Sequence, residues 1–342
     1  MHPGPPDSAT EAPQAAALAP TAPLLWIDWG RHVRTRSLTR RLGIKLLEIP
    51  ARGTRIGRYA RSAVRTLAAI HRLRPAVVIA TNPSLVLGAL LQVLKPLYGF
   101  ALVSDAHYAG VRSLSGQGLL QRCLNAYNTR TDLVIVTNES QAAYLRALGC
   151  NALVCADPLP DVPRPDITVA APERSVFLVC SFDADEPYAA VFEAFKQLRT
   201  RGYTLIVSGD YRKSQIRPES FPWVRFLGFA PEEQYYAYLR ACSLVMDLTT
   251  LEDCLVCGAY ESLAAGQPLI TSATRALQEY FGEAATYTES APAAIAASVE
   301  RAYQLREQLL NQARTWVARN EADFAVRLTR LNAKLRELAA RD

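Results

Sequence analysis

Residues 243–281 read SLVMDLTTLEDCLVCGAYESLAAGQPLITSATRALQEYF and carry the clearest structural pattern in the chain. The apolar, partly branched run Leu244–Leu248 predicts a strand. The small residues Cys257–Ala265 predict a helix, which ends at Gly266 because glycine favours a helix C-terminus. Leu269–Ser272 then predicts a second strand. A strand, a loop, a helix and a strand in this order form the unit from which parallel α/β sheets are built.

Acidic residues stand at the joints of this unit. Asp253 lies in the loop after the first strand, Glu261 lies in the first turns of the helix, and Glu279 follows the second strand. Ligands of open α/β sheets bind beyond the carboxyl ends of the strands. The backbone N–H groups of residues 257–259 start the helix and would point at an anion held there. The pattern predicts a phosphate-bearing ligand on these N–H groups, close to Gly258, with carboxylates that accept hydrogen bonds from its hydroxyls.

The spacing Asp253-x7-Glu261, followed by Ala264-Ala265-Gly266-Gln267-Pro268 and then Glu279, resembles the donor-site signature of GT-B glycosyltransferases of the family 4 type. That signature is Glu-x7-Glu, a small-Gly-x-Pro strand start and a Gly-Gly-x-x-Glu turn. This chain departs from it in two places, with Asp253 for the first Glu and Arg275-Ala276 for the glycine pair. Local spacing alone also fits an ordinary βαβ crossover with solvated acids. The resemblance implies that Glu261 binds the ribose of a nucleotide sugar and that Asp253 contacts the donor sugar.

The length of 342 residues suits two domains, since single domains mostly hold about 100–150 residues. Repeated strand and helix patterns predict one doubly wound, Rossmann-like domain over residues 23–157 and another over 174–315. The proline-rich residues 158–173 are predicted to be the linker. The resemblance implies an α/β fold of GT-B architecture, in which an acceptor-side domain and a nucleotide-sugar-binding domain face a central cleft. It also implies that a terminal helix, residues 316–342, packs back on the first domain. The sequence itself predicts a long final helix from Ala293 with a break near Asn320.

The beginning of the chain and its cysteines indicate a compartment. Residues 1–22, rich in alanine and proline, lack the basic start and continuous apolar core of a signal peptide and are predicted to be disordered. The longest apolar runs, such as Leu85–Leu94, are too short to cross a bilayer. Seven scattered cysteines are more typical of a reducing compartment than of a disulfide framework. We therefore expect a cytoplasmic protein.

Positive charge is concentrated in the first domain. Between Arg31 and Arg74 the chain holds twelve arginines and one lysine against a single acid, Glu48. Such a segment favours an anionic partner, namely lipid head groups, a lipid diphosphate or nucleic acid, and it equally fits a solvated arginine-rich helix. The segment has no nucleic-acid-binding motif, and it lacks the interleaved aromatic residues typical of proteins that bind single-stranded nucleic acid. We therefore expect no nucleic-acid partner. An anionic membrane surface is the expected partner, with attachment to the inner face of the cytoplasmic membrane.

Two polar strand ends of the first domain are candidate sites. The loop after the strand Leu24–Asp28 carries Gly30, Arg31 and Arg34, which we expect on the acceptor or phosphate side of the cleft. The strand predicted over Phe100–Ser104 is followed by Asp105 and His107. Farther along, a helix predicted over Gly57–Leu73 has an apolar face and several arginines around it. That face holds Ile56, Val64, Leu67 and Ile70.

Asp105 and His107 are the candidate general bases. Both follow the fourth predicted strand, next to Gly110, where polar side chains and a glycine mark a cleft. The resemblance implies that a histidine after this strand reaches the donor sugar. A histidine packed in a loop is the plain alternative for His107.

The first loop of the second domain departs from the family pattern. Ser181 and Glu186 stand where the family places an arginine and a lysine that neutralise the donor diphosphate. Arg212 and Lys213, after the next strand, are candidate replacements, together with the N–H groups at Cys257 and Gly258. This loop is thus the weakest part of the resemblance.

The donor base and a metal complete the expectations for the second domain. The resemblance implies that backbone groups at Gly228 and Phe229 recognise the nucleotide base. The Asp183-x-Asp185 pair has the spacing of a metal-binding DxD motif, but this tripeptide is frequent by chance and belongs to single-domain enzymes of another fold. We expect no metal site and no cofactor.

Taken together, the sequence predicts a hexosyltransferase that moves a sugar from a nucleotide diphosphate sugar, with UDP or GDP as the nucleotide, to an acceptor hydroxyl. The basic first domain favours a lipid-diphosphate-linked acceptor or an exopolysaccharide glycan. Inversion would need Asp105 or His107 as a base, whereas retention would not, and the sequence leaves both open. Two alternatives remain: a catalytically inactive GT-B-like binding subunit and a nucleotide-sugar epimerase of the same fold.

Overall fold

The structure is a computed structural model of the chain and describes residues 23–50, 54–112 and 118–341. The expected disordered tail, residues 1–22, lies outside the described residues. Two parallel six-stranded sheets organise the described part of the chain. No helix within it combines the length and the apolar composition needed to cross a membrane.

The first domain is built on one of these sheets. Its elements are, in chain order, β1 (Leu24–Asp28), α1 (Val33–Leu42), β2 (Lys45–Glu48), α2 (Arg55–Leu73), β3 (Val77–Asn82), α3 (Leu85–Tyr98), β4 (Ala101–Ala106), α4 (Tyr108–Val111), α5 (Gly118–Asn128), β5 (Leu133–Val136), α6 (Glu139–Ala147) and β6 (Ala152–Val154). The strands lie in the order β2-β1-β3-β4-β5-β6. Because the chain leaves β1 first to one side and then to the other, a crevice opens between the carboxyl ends of β1 and β3.

The second domain repeats this plan. Its elements are β7 (Ser175–Leu178), α7 (Tyr188–Leu198), β8 (Thr204–Ser208), β9 (Val224–Gly228), α8 (Glu232–Ala241), β10 (Leu244–Asp247), α9 (Cys257–Ala264), β11 (Leu269–Ser272), α10 (Arg275–Phe281), β12 (Ala285–Thr288), α11 (Pro292–Gln304) and α12 (Arg306–Ala339). The strands lie in the order β12-β11-β10-β7-β8-β9. The order reverses between β7 and β10, so a second crevice opens at their carboxyl ends. The two predicted doubly wound folds are therefore confirmed.

Strand burial explains why the strand predictions hold. The strands β3 and β5 are buried at every position and consist almost entirely of valine, isoleucine and other small or apolar residues. Strands covered by helices on both faces of a parallel sheet need such continuous apolar runs. Each run ends within a residue or two of a polar side chain, which marks the end of the strand.

Two helical predictions were wrong. Residues 33–42, expected as part of a loop, form α1, which buries Leu38 and Leu42 against the sheet although four of its ten residues are arginines. The apolar face predicted for α2 is divided: Ile70 is fully buried, while Ile56 and Val64 face outward with 84% and 67% exposure. In both cases the helix is oriented by its neighbours and not by its own composition.

The long terminal helix α12 connects the two domains. It runs without interruption through Asn320, so the break expected there is absent, and the helical path is instead interrupted between α11 and α12 at Leu305. Near its start, Ala313 and Trp316 pack in the second domain. Nearer its end, Leu331 packs with the first sheet. Full burial of a leucine stabilises the fold by about 1.5–3 kcal/mol, so this helix holds the domains in one arrangement.

Candidate functional site

A cavity of about 960 Å³ lies at the carboxyl ends of β7 and β10. It is bounded by the loop after β7, the loop after β10 and the first turns of α8 and α9. Its acidic lining residues are Asp183, Asp185, Glu186, Glu232, Asp247 and Glu261. None of the described residues that line it is a lysine or an arginine. The cavity is thus strongly acidic, which the sequence did not indicate.

Glu261 lies in the first turns of α9 and faces this cavity. Its carboxylate accepts a hydrogen bond from the Tyr235 hydroxyl, and burial raises its pKa. Phe229, which is 84% exposed, also lines this cavity, whereas the preceding Gly228 does not and has a φ of 68°, a left-handed conformation that favours glycine. An exposed aromatic ring and a fixed carboxylate therefore face the same space.

The loop after β7 is held by hydrogen bonds between its own residues. The Glu186 carboxylate accepts hydrogen bonds from the backbone N–H groups of Ser181 and Asp183, at 2.9 and 3.0 Å. It also accepts one from the Ser181 hydroxyl at 3.0 Å. The residue that replaces the family's lysine thus uses the donors that Ser181 would otherwise offer to a ligand.

Asp247, at the end of β10, occupies the start of α9. The backbone N–H groups of Gly258 and Ala259, two of the donors predicted to hold an anion, lie beside its carboxylate and lower its pKa. A Cβ on residue 258 would lie 2.6 Å from the Asp247 Oδ2 atom, so only glycine fits there. Burial raises the pKa of Asp247 well above its usual value, and the charges of Glu186 and Glu261 raise it further. Cys257 lines the cavity beside this carboxylate.

We expect Asp247→Asn to raise the melting temperature at a pH of about 8 and to flatten its dependence on pH. An acid whose pKa rises on folding destabilises the folded state wherever the unfolded chain is ionised, so wild-type stability falls as pH rises above about 4. Asparagine keeps the shape and the acceptor oxygen without the charge. The measurement is thermal unfolding across this pH range, with Asp183→Asn, an exposed carboxylate of the same cavity, as the control. A melting temperature lowered at every pH would contradict the assignment.

The candidate basic residues of this domain lie elsewhere. Arg212 is 74% exposed and donates to Asp210 at 2.6 Å, and neither it nor Lys213 lines the cavity. Glu279 also lies outside the lining, on the surface of α10, where it accepts a hydrogen bond from Arg275 at 2.7 Å. These three predicted site residues are not brought together with Glu261.

Asp253 lies where the two domains meet. Its backbone carbonyl accepts hydrogen bonds from the side-chain amides of Asn138 and Gln141, at 2.9 and 2.8 Å. Its carboxylate accepts a hydrogen bond from the Ser140 hydroxyl and lies 3.4 Å from the Arg112 guanidinium. The carboxyl edges of the two sheets therefore face each other, and Asp253 holds them together.

A second cavity, of about 230 Å³, lies in the crevice of the first domain. Asp28, at the end of β1, is buried and accepts hydrogen bonds from the backbone N–H groups of Gly30 and His32. The same carboxylate lies 2.8 Å from the His32 Nδ1 atom. That hydrogen bond raises the pKa of His32 against the opposing effect of burial. When the ring is neutral and Nδ1 donates to Asp28, the Nε2 atom on the cavity side is the proton acceptor.

The predicted site includes Gly30 but neither Asp28 nor His32. A Cβ on residue 30 would lie 2.8 Å from the His32 ring, so the glycine permits the carboxylate–imidazole pair. The available signal was an Asp-x3-His spacing directly at a strand's carboxyl end.

Arg34 and Asp105 form a buried ion pair. The Arg34 Nε atom donates to Asp105 at 3.1 Å, and its Nη atoms donate to Asp157 and to the Cys155 carbonyl. Although burial alone would raise the pKa of Asp105, the Arg34 charge lowers it. Both side chains are enclosed, so neither is placed to touch an acceptor. Arg31 is exposed and does not line the cavity.

His107 lies between the two cavities. Its Nε2 atom points inward, 3.6 Å from Asp105, and its ring lies 5.0 Å from that of His32. The next residue, Tyr108, lies close enough to the second domain that burial and the charges at Cys254 and Asp253 raise its pKa. His107 thus packs against His32 on one side, and Tyr108 lies near Asp253 and Cys254 on the other.

A third cavity, of about 400 Å³, adjoins the second and shares Arg58 and Ser62 with it. Arg61 and Arg65 complete its basic wall. Among the described residues, no group of three or more His, Cys, Asp or Glu side chains is arranged to hold a metal ion. The first domain thus places the His32 imidazole near a cavity that is lined by three arginines and by Glu48.

Comparison with known proteins adds to this geometry. Residues 173–304 match the family model for "Glycosyl transferases group 1". A search of curated protein sequences finds no match to the chain. Among solved structures, sucrose-phosphate synthase from Thermosynechococcus elongatus is similar with a TM-score of 0.76 and 16% identity, over 93% of this chain and 99% of that chain.

A second solved structure, HepE from Anabaena in complex with UDP and glucose, gives a TM-score of 0.68 and 14% identity over 92% of this chain and 98% of that chain. A protein from Listeria monocytogenes, described as a UDP-N-acetylglucosamine 2-epimerase, gives a TM-score of 0.58 and 11% identity. The match covers 85% of this chain and 90% of that chain. At these identities the likeness concerns the fold. The chain therefore has the GT-B fold, two Rossmann-like domains across a cleft, and through residues 173–304 it is similar to the group 1 glycosyltransferases.

Proposed function

We propose that this protein transfers a hexosyl group from a nucleotide diphosphate sugar to an acceptor hydroxyl. The observation that carries the proposal is the second-domain cavity, in which Glu261 and the exposed Phe229 ring face one space within the segment that matches the family. A carboxylate accepts hydrogen bonds from two vicinal hydroxyls, as a ribose presents them, and an aromatic face stacks on a base. UDP is the first nucleotide to test, because the structure of HepE is a complex with UDP.

The donor diphosphate needs positive charge that the cavity itself lacks. Arg112 of the first domain is a candidate, since it lies 3.4 Å from Asp253, whose neighbour Cys254 lines the cavity. We assign it to the diphosphate, in place of Arg212 and Lys213. Ion pairing with a phosphate would then require Arg112 to leave Asp253, which couples donor binding to the contact between the domains.

The acceptor belongs in the first domain. Its hydroxyl approaches His32 Nε2, which takes the proton as the new bond to the sugar carbon forms and the bond to the diphosphate oxygen breaks. A base on the protein supports an inverting displacement. An anionic group of the acceptor fits the chamber of Arg58, Arg61 and Arg65. A lipid-diphosphate-linked glycan carries both a hydroxyl and such a group.

The acidic lining of the donor cavity supports a second candidate. Six carboxylic side chains without a basic one would repel a diphosphate unless several are protonated. A catalytically inactive GT-B-like binding protein for an uncharged sugar would tolerate such a lining. The two candidates differ in whether a nucleotide diphosphate binds at all.

Nucleotide binding is the experiment that separates them. We expect UDP or GDP, and not CMP, to raise the melting temperature of the wild type by about 2–4 °C at 100-fold over its Kd, since such saturation stabilises the folded state by about 2.7 kcal/mol. Glu261→Ala should abolish the shift, because it removes the ribose acceptor. Glu233→Ala, an exposed acid of α8 outside the lining, should retain it. A folded wild type that responds to no nucleotide would favour the inactive binding protein.

A further inference from the structure

The helices α2, α3 and α5 form one outer layer of the first domain. They pack on the same face of the sheet, where Ile70, Leu91 and Tyr127 share one core cluster. The three helices contain no aspartate or glutamate. Of the twelve exposed large hydrophobic side chains in the described residues, seven lie on this layer: Ile56, Val64, Leu67, Val86, Val93, Leu97 and Leu119.

The outward side of α2 is apolar. Thr66 and Ile70 are buried in the core, whereas Ile56, Val64 and Leu67 are exposed to 84%, 67% and 41%. These positions differ by eight and three residues, which places them on one stripe of an α-helix. The stripe is therefore a continuous feature of the helix and not a single exposed side chain.

The adjacent helix α3 extends this stripe. Leu87, Leu91 and Leu94 are buried, and Val93 and Leu97 point away from them with 64% and 70% exposure. Because α2 and α3 pack side by side, their exposed stripes form one surface, which we call the α2–α3 face. Contiguous apolar surface of this kind marks an interaction site, whereas scattered apolar side chains do not.

Arginines border the α2–α3 face along one edge. Arg61, Arg65 and Arg72 follow one another on α2, beside the apolar stripe, and no acidic side chain among the described residues pairs with them. An apolar stripe with a basic edge is the pattern of a helix that lies in a membrane interface, with apolar side chains at the acyl boundary and arginines at lipid phosphates.

We propose that the α2–α3 face docks on an anionic lipid bilayer. Charge complementarity selects this occupant, because α2, α3 and α5 carry basic side chains and no acidic one, and the Glu48 carboxylate beside Arg61 and Arg65 is paired with Arg36. A second copy meeting the same face would bring two arginine rows together. The inference rests on the proposed function in one respect, the assignment of the second and third cavities to the acceptor. These cavities open at the N-terminal ends of the same helices, at Arg58 and Ser84. Docking would therefore present them to the lipid head groups.

Vesicle co-sedimentation of the full chain tests the proposal. We expect binding to vesicles of equal parts phosphatidylcholine and phosphatidylglycerol, and little binding to phosphatidylcholine alone. Val64→Glu with Val93→Glu should weaken binding at least about tenfold, because carboxylates would enter the acyl boundary. Arg72→Glu should weaken it about fivefold or more and reduce its salt dependence. Val326→Glu, an equally exposed valine on α12, is the matched control and should bind as the wild type does.

The outcomes are separable from the donor reaction. All of these variants should keep the melting temperature and the nucleotide response of the wild type, because none of the positions lines the donor cavity. A wild type that responds to UDP yet ignores anionic vesicles would overturn the docking proposal alone. So would a wild-type dimer in solution that Val64→Glu with Val93→Glu dissociates, since the face would then be an interface between copies.

Discussion

Replacement of His32 by alanine should lower kcat by a factor of about 10²–10⁴, the range over which a positioned general base acts. The Asp28 carboxylate, 2.8 Å from Nδ1, orients the ring so that Nε2 faces the acceptor cavity. Nucleotide binding should be unaffected, since His32 does not line the donor cavity. The measurement is release of the nucleoside diphosphate from the donor that the thermal shifts identify, with a polyprenyl-diphosphate-linked sugar as acceptor.

The pH profile distinguishes a base from a structural residue. His32 acts as a base only when neutral, and Asp28 raises its pKa, so the rate should rise with pH through a value above 6.5. Asp28→Asn should move this limb to lower pH, because the imidazolium loses its carboxylate partner. His71→Ala, an exposed histidine of the same domain, should leave the profile unchanged. A His32→Ala enzyme with wild-type kcat would show that the acceptor is deprotonated elsewhere, as in a retaining reaction.

Arg34→Ala should destabilise the protein by about 3–5 kcal/mol, the effect of removing one partner from a buried ion pair. Asp105 has no exposed atoms, and the loss of Arg34 would leave its charge without compensation inside the first domain. The bond from Arg34 to Asp157 at the start of the linker would also be lost. Urea unfolding monitored by circular dichroism measures the change.

The pH dependence of this variant gives a further check. In the wild type Arg34 lowers the pKa of Asp105, so the stability from this pair is present above about pH 4 and is lost as pH falls. Without Arg34, burial would raise the pKa of Asp105, and stability would instead fall as pH rises. Arg36→Ala, which breaks the exposed pair with Glu48, should have a small effect. Equal effects of the two variants would contradict a structural role for Arg34.

Several site residues could be found from the sequence because they lie in one short unit. Glu261 and Gly258 belong to the same helix start, and the spacing that marks them is local. Glu279 has the same local spacing, yet the structure turns it onto the surface of α10 with Arg275. Local spacing thus led to the helix that borders the second-domain cavity and did not determine which of the nearby acids face that cavity.

The sequence by itself determined the strands of the two sheets and the presence of two doubly wound domains, although helix α1 was missed. This was possible because a strand buried on both faces must be apolar along its whole length, which is a property of neighbouring residues. Only the tertiary structure decided the roles of the charged residues. Arg34 meets Asp105 and Asp157 across 71 and 123 positions of the chain, and Asp253 meets Ser140 across 113. Whether a charge binds a ligand or closes an internal ion pair depends on such distant partners, and so does the side of α2 that faces the core.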